Sequence, residues 1–435
     1  MKIKQVLFTP GYSSFFFDDQ RAVRNGAVHD GFVYSGKPVT SGFSAIRMPG
    51  ETVSIQIQLD NGRWAKGDCA AVQYSGAGGR DPVFSAASVI PMLEKNIRQI
   101  LIGTETDSFR TLVAHFENLE IEGKKLHTAV RYGLSQALLD AAALSQNITM
   151  AEVIIKEYGL PLRTKKVPIF GQSGDDRYIN TDKMILKKID VLPHALINNV
   201  DDKLGRDGSK LKEYIRWLVR RIKTLRTDSS YSPVLHIDVY GTIGQIFNNN
   251  TDKTAEFLAG LEKDTDGFSL YIEGPVDMES KLPQINTLSE IKRNLTKLGS
   301  RVKIVADEWC NLFEDIRDFT DADACHMIQI KTPDLGGIQN TIESVRYCKQ
   351  HGMEAYQGGT CNETDISARV CVHAAVAAGA DRMLAKPGMG FDEGYTIVHN
   401  EMQRLLAVLR ENNNSCGYSS GSSVRSPENQ ETLCQ

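Results

Sequence analysis

Long apolar runs are missing from this 435-residue chain: none approaches the ~18–20 consecutive residues a membrane helix requires. The amino terminus, MKIKQVLFTPGYSSFFFDD, starts basic but carries no sustained apolar segment and no small-residue cleavage site, so no secretion signal is expected. An excess of charge of one sign is missing too. Fifty Lys and Arg stand against 54 Asp and Glu, a net −4, which excludes an electrostatic nucleic-acid binder. Eight cysteines (69, 310, 325, 348, 361, 371, 416 and 434) include no CxxC pair, so neither a zinc site nor a disulfide framework is indicated, and reduced thiols suit the cytoplasm. No GxGxxG follows an early strand-like run, and the glycine-rich stretch 74–82 lacks the GK[ST] of a phosphate-binding loop. With 41% hydrophobic residues, a disordered or collagen-like chain is excluded as well.

What is present divides into two grammars. Residues 1–160 read as an α+β unit. Val53, Ile55, Ile57 and Leu59 alternate, Asp60-Asn61-Gly62 signals a hairpin, and a return strand follows near 64–69. Val130, Leu134, Leu138, Leu139 and Ala142 then repeat at helical spacing over about 126–145. From about residue 161 short β-type runs alternate with helical segments. The runs are VPIFGQ (167–172), VLPHAL (191–196), PVLHID (233–238), FSLYIEG (268–274), RVKIVADE (301–308), HMIQIK (326–331), MEAYQGGT (353–360) and DRMLAKPG (381–388). Amphipathic stretches at 211–227, 254–263, 289–298 and 341–351 lie between them. Eight such runs indicate an α/β fold with a parallel sheet closed into a TM-type count of eight, a (β/α) TIM barrel, over 161–411; an open doubly wound sheet shares the alternation. Residues 412–435, poor in large apolar side chains, read as a disordered polar tail.

In such a barrel the carboxyl ends of the strands converge on one mouth. Here they carry Gln172, His194, Asp238, Glu273, Asp307, Lys331, and then Thr360 and Cys361. Three consecutive strands end in Asp238, Glu273 and Asp307. Like charges raise each other's pKa, so three carboxylates sharing one volume need a compensating cation, and an all-oxygen donor set suits Mg²⁺. A lone strand-end carboxylate more often caps the following helix; three in register do not fit that role. Lys331 shares a face with Gln329 at a period of two. Beside a divalent ion and out of water its pKa should fall toward about 7–8, the range of a general base. A structural ion pair or a Schiff-base amine are the other roles open to it. His194 lies across the mouth, placed to act on the opposite face of a substrate, while His236 is expected one layer deeper as packing. The 74–82 stretch is expected as an exposed, flexible loop able to close over the mouth. Cys361 has no neighbour in sequence that would deprotonate it and is expected as a contact.

A carboxylate trio on successive strands, a lysine on the next and an α+β cap form the plan of the enolase superfamily. The strings GDCAAVQYSGAGGRDP, QSGDDRY, DVLPHALINNV, LHIDVYGTIG, VADEWCN, IKTPDLGG, GGTCNET and LAKPGMG, spread over about 1–411, closely resemble the 3-methylaspartate ammonia-lyase family. The resemblance implies an enolase-type modified TIM barrel with an N-terminal capping domain. It also implies elimination of ammonia from L-threo-3-methylaspartate to give mesaconate, in glutamate degradation. By the same resemblance Asp238, Glu273 and Asp307 hold Mg²⁺, Lys331 removes the C3 proton from one epimer, and His194 serves the other. Gln172, Gln329, Thr360 and Cys361 would hold the substrate carboxylates, Gln73 would lie near the amino group, and Leu384 would contact substrate. A cytoplasmic homodimer activated by K⁺, with a small-molecule amino-acid substrate and neither nucleic acid nor membrane as partner, completes that expectation. Another proton-abstracting member of the superfamily, or a catalytically silent Mg²⁺-binding barrel, remain the alternatives; VLPHAL stands where several such relatives carry a lysine.

Overall fold

The computed structural model describes residues 1–415 except Pro387 and Met389. Its amino-terminal part is built on a three-stranded antiparallel sheet of β1 (Ile3–Asp18), β2 (Arg47–Leu59) and β3 (Trp64–Asp68), in the order β1-β2-β3. The alternation in β2 puts Val53, Ile55, Ile57 and Leu59 on the buried face with no exposed surface. The expected hairpin pairs Gln58 with Trp64 around residues 60–62. The long first strand was not legible in the sequence, because its apolar residues do not alternate cleanly through PGYSS. Against this sheet lies the helix Thr128–Gln146, most of whose residues are buried. It approaches so closely that a Cβ on Gly67 would fall 2.1 Å from the Gly133 carbonyl, so glycine is required there.

Eight strands close a barrel: β4 (Ile169–Phe170), β5 (Val191–Leu196), β6 (Val234–Asp238), β7 (Leu270–Glu273), β8 (Lys303–Ala306), β9 (Met327–Ile330), β10 (Glu354–Gln357) and β11 (Arg382–Leu384). Each runs parallel to the next, and β11 closes on β4. Every strand-like run expected from the sequence is a barrel strand, and the open-sheet alternative is excluded. Phe170, Val191, Tyr271, Val305, Met327, Tyr356 and Leu384 fill the interior, while Ile237, Ile304 and Ile328 belong to the larger core outside it. The strand period of two carries each inward face onward, from Phe170 to Gln172, Tyr271 to Glu273, Val305 to Asp307, and Met327 to Gln329 and Lys331.

The four barrel helices expected from the sequence all begin earlier than suggested, three of them by only two or three residues. Lys281–Lys297 starts well before residue 289, because Pro283 sits in its first turn, where a missing N–H costs nothing. The last helix, Phe391–Ser415, corrects the reading of the tail. Residues 412–415, expected as disordered, continue that helix, and Asn412 donates to Glu152 at 2.8 Å. Residues 416–435 lie outside the described residues. Among the described residues no single helix is long and apolar enough to cross a membrane.

Candidate active site

One cavity at the carboxyl end of the barrel is lined by Gln172, His194, Asp238, Asp307, Gln329, Lys331, Thr360, Cys361 and Leu384, with Gln73 reaching in from the cap. Glu273 is fully buried just beneath it. The fold thus gathers residues that are up to 311 positions apart in the chain, from Gln73 to Leu384. The strand ends explain most of this. His194 needs a special device: β5 slips register between Ile237 and Asp238 of β6, and His194 takes a left-handed φ of 64°. Such a bulge re-aims a side chain, here the imidazole, into the mouth.

The carboxylates are held differently from one another. Glu273 accepts hydrogen bonds through Oε1 from Gln329 Nε2 at 2.7 Å and from the Tyr356 hydroxyl at 2.6 Å. Its Oε2 lies 2.8 Å from His236 Nε2. His236, stacked on Phe170 at 4.3 Å, accepts through Nδ1 from Arg382 and sits one layer below Asp238. Asp238 accepts from its own loop at Tyr240 N, 3.1 Å away. Asp307 forms an ion pair with Lys331, 2.8 Å from Oδ1 to Nζ, and Glu308 lies 3.7 Å from the same ammonium. Ligand atoms of His194, Asp238 and Glu273 all fall within 4.8 Å of one another. Asp307, meanwhile, is engaged by the lysine.

Electrostatics follow from this geometry. Burial pushes Asp238 and Glu273 well above the usual carboxylate range, and mutual repulsion with Asp307 adds to it. Asp307 is raised by burial despite Lys331, whereas Glu308 is held low by Lys331 and keeps its charge. Among the described residues these five carboxyl groups (Asp238, Glu273, Asp307, Glu308 and Asp334) thus face fewer cations, chiefly Lys331 and Arg80, with Arg24 also acting on Glu308. The deficit of positive charge and the oxygen donors fit a hard dication, whereas an imidazole is a poor ligand for Mg²⁺. The oxygen set of Asp238, Glu273 and Asp307 therefore suits that ion better than a set containing His194. The pKa of Lys331 was expected to fall beside a divalent ion; in the metal-free chain burial disfavours the ammonium, but Asp307 and Glu308 outweigh it and hold the group above its ordinary value. His194 is pushed down to about 4 by burial and is neutral at neutral pH. Burial raises the Cys361 thiol to about 11, and Gln172 Nε2 approaches its sulfur at 3.4 Å, so the group stays a neutral thiol rather than the thiolate a nucleophile needs.

Comparison with known proteins gives the family. The chain matches the family model for the methylaspartate ammonia-lyase amino terminus over residues 1–159 and that for the carboxyl terminus over 161–411. The chain belongs to the methylaspartate ammonia-lyase family. The methylaspartate ammonia-lyase of Citrobacter amalonaticus is 62% identical over 410 residues, 94% of this chain and 99% of the relative. Its crystal structure containing (2S,3S)-3-methylaspartic acid superposes with a TM-score of 0.93, covering 94% of this chain and all of the other. The Mg complex of β-methylaspartase from Clostridium tetanomorphum, 52% identical, gives a TM-score of 0.92 over 95% of this chain and all of that one. Muconate lactonizing enzyme from Pseudomonas fluorescens, at 15% identity and a TM-score of 0.58, shares the fold.

Several cavity residues of this ammonia-lyase family member were not found from sequence. Tyr74 and Arg80 belong to the 74–82 loop, expected as exposed and flexible. Instead only Gly78, Gly79 and Pro82 are exposed there. Arg80 donates to both oxygens of Asp334 at 3.1–3.2 Å and to Asn311 at 3.3 Å, tying the cap to the barrel. Tyr240, Glu308 and Asp334 also line the cavity. The one signal for them was adjacency: each lies within three residues of a strand-end residue already singled out.

Proposed function

We propose that this chain eliminates ammonia from L-threo-3-methylaspartate to give mesaconate. The observation that carries the reading is the single cavity in which an amine, an imidazole and carboxylates suited to a dication meet amide and hydroxyl donors. A proton next to a carboxylate is hard to remove because negative charge develops on oxygens that are already charged. Mg²⁺ held by Asp238, Glu273 and Asp307 would supply Lewis-acid stabilisation of that charge. Lys331 is the base that takes the C3 proton of the threo substrate; to act it must give up the proton that Asp307 and Glu308 now stabilise. His194, neutral and on the other side of the cavity, serves the opposite epimer. Gln172, Gln329, Thr360 and Cys361 orient the substrate carboxylates, Gln73 lies near the amino group, and the apolar Leu384 offers a surface to the methyl group. The closed 74–82 loop excludes water.

The same reading carries activation by K⁺, a homodimer, a cytoplasmic setting and a place in glutamate degradation, with the cap over 1–160 and the barrel over 161–411 as its two domains. The test is direct. Purified protein is mixed with threo-3-methylaspartate, Mg²⁺ and K⁺, and mesaconate absorbance is followed with and without chelator. Turnover that the chelator abolishes is expected; no turnover with both ions present rejects the substrate.

A further inference from the structure

Behind the cavity wall lies a buried cluster that the proposed chemistry does not use. Lys386 is 1% exposed, and Glu363 and Thr332 are fully buried. The Lys386 ammonium donates to Glu363 Oε1 at 2.8 Å, Thr332 Oγ1 at 2.7 Å and the Gly358 carbonyl at 2.9 Å, which uses all three of its protons. Thr332 Oγ1 donates in turn to Glu363 Oε1 at 2.7 Å. Glu363 Oε2 accepts from Tyr132 on the cap helix at 3.0 Å and from Ser367 at 2.5 Å.

The placement matters more than the bonds. Thr332 directly follows Lys331, Glu363 lies two residues beyond Cys361, and Lys386 lies two residues beyond Leu384. Gly359, which lines the cavity, passes between: a Cβ there would meet Lys386 Nζ at 2.7 Å and Glu363 Oε1 at 3.0 Å, at a φ of 151°. The partners come from the loops after β9, β10 and β11 and from the cap. His194 and Asp238 sit on β5 and β6, the other side of the barrel.

We infer that Lys386, Glu363 and Thr332 are positioning residues that hold the Lys331 loop for the abstraction of the threo proton, leaving the His194 side independent. This rests on the assignment of the two epimers to Lys331 and His194 made above. Because the cluster joins three loops to each other, losing one hydroxyl lets the Lys331 loop shift. A displacement of the order of 1 Å costs up to about 100-fold in rate.

The test compares Thr332→Val, which removes the hydroxyl at constant shape, with Thr332→Ser, which keeps it. Steady-state turnover of threo- and erythro-3-methylaspartate is measured for each. Thr332→Val is expected to lose roughly 10- to 100-fold in kcat on the threo epimer, with erythro turnover within about twofold of the parent. Thr332→Ser should restore the threo rate. Glu363→Gln, which keeps the shape and removes the charge, should show the same selectivity and stands in if Thr332→Val does not fold. Equal losses on both epimers, or a folded Thr332→Val at the parental threo rate, overturn the inference. Lys331→Ala in the parent tests the underlying assignment separately: retained threo turnover there would reject the base and not the brace.

Discussion

Replacing Lys331 by Met should destroy threo turnover and, less obviously, tighten the binding of Mg²⁺. The lysine ammonium sits 2.8 Å from Asp307 and 3.7 Å from Glu308, with both its own side chain and that of Asp307 close to nine-tenths buried. At an effective dielectric of about 20, those separations correspond to gross attractions of about 6 and about 4.5 kcal/mol. Desolvation takes back much of this, and removing one partner of a buried pair typically costs about 3–5 kcal/mol. The metal-free Lys331→Met protein should therefore be less stable by about 3 kcal/mol, its carboxylates left uncompensated. A dication relieves the same repulsion and no longer competes with an ammonium for Asp307. If about 2–3 kcal/mol of that cost is recovered on binding, Mg²⁺ affinity rises roughly 30- to 150-fold. Titration calorimetry would read the affinity, and thermal melts with and without Mg²⁺ would read the coupling, since ligand-induced stabilisation grows with [L]/Kd. An unchanged or weaker affinity, or a Mg²⁺-induced rise in Tm no larger than in the parent, would refute the idea that the lysine and the cation share Asp307.

Asp307→Asn acts in the opposite direction: it removes a charged donor and should weaken Mg²⁺ binding at least about tenfold by calorimetry, equivalent to 1.4 kcal/mol, and an unaltered Kd would remove Asp307 from the ion's ligands. Arg80→Ala cuts the tie from the 74–82 loop to Asp334, so limited proteolysis at Gly78-Gly79 should accelerate and kcat/KM should fall about tenfold, 1.4 kcal/mol of transition-state stabilisation. A loop that stays protease-resistant would mean that other contacts close it. Glu401 contributes to the acid limb of stability. Burial raises its pKa, but hydrogen bonds from His373, Arg404 and Arg369 prevail and hold it at about 2. A depressed carboxylate contributes stability that is complete above its unfolded pKa of about 4.5 and fades as pH falls toward the folded value. Thermal melts of Glu401→Gln should accordingly lose less Tm than the parent between about pH 4.5 and 3, and parallel curves would contradict that assignment.

How much of this was legible beforehand depended on where the physical signal is written. A barrel strand is buried on both faces, so its run of β-branched and aromatic residues stands out between polar helices, and all eight were readable. The β1 strand carries a register break between Tyr12 and Phe16, and that irregularity hides its pairing with β2 from any test of alternation. The 412–415 turn was misread because composition records a scarcity of apolar side chains, whereas the helix is continued by its preceding turns and by one hydrogen bond from Asn412 to a distant helix. Likewise Arg80 stands among glycines, and nothing near it in sequence reports that Asp334, 254 residues away, receives it.

The strand-end residues were readable because a period of two fixes which side chains face the mouth once the strands are known. Their protonation was not. The expectation of a lowered Lys331 pKa rested on burial and a neighbouring divalent ion, with an ion pair to the carboxylate trio as the alternative. Glu308 is the neighbour that assumption omitted: it follows Asp307, its side chain turns back toward the cavity, and its charge is kept by the very lysine it stabilises. In the metal-free chain the ammonium form of Lys331 is therefore the stable one, and it neutralises part of a cluster that would otherwise repel itself. On the proposed reading of Lys331 as the base, it would be made by exchange of partners. Were a dication held by Asp307, the amine would lose its closest anion and gain a repelling charge, both of which would favour the neutral form that can accept a proton. Loss of the ion should on this argument cost the protein its base as well as its Lewis acid, which no reading of Lys331 by itself would have predicted.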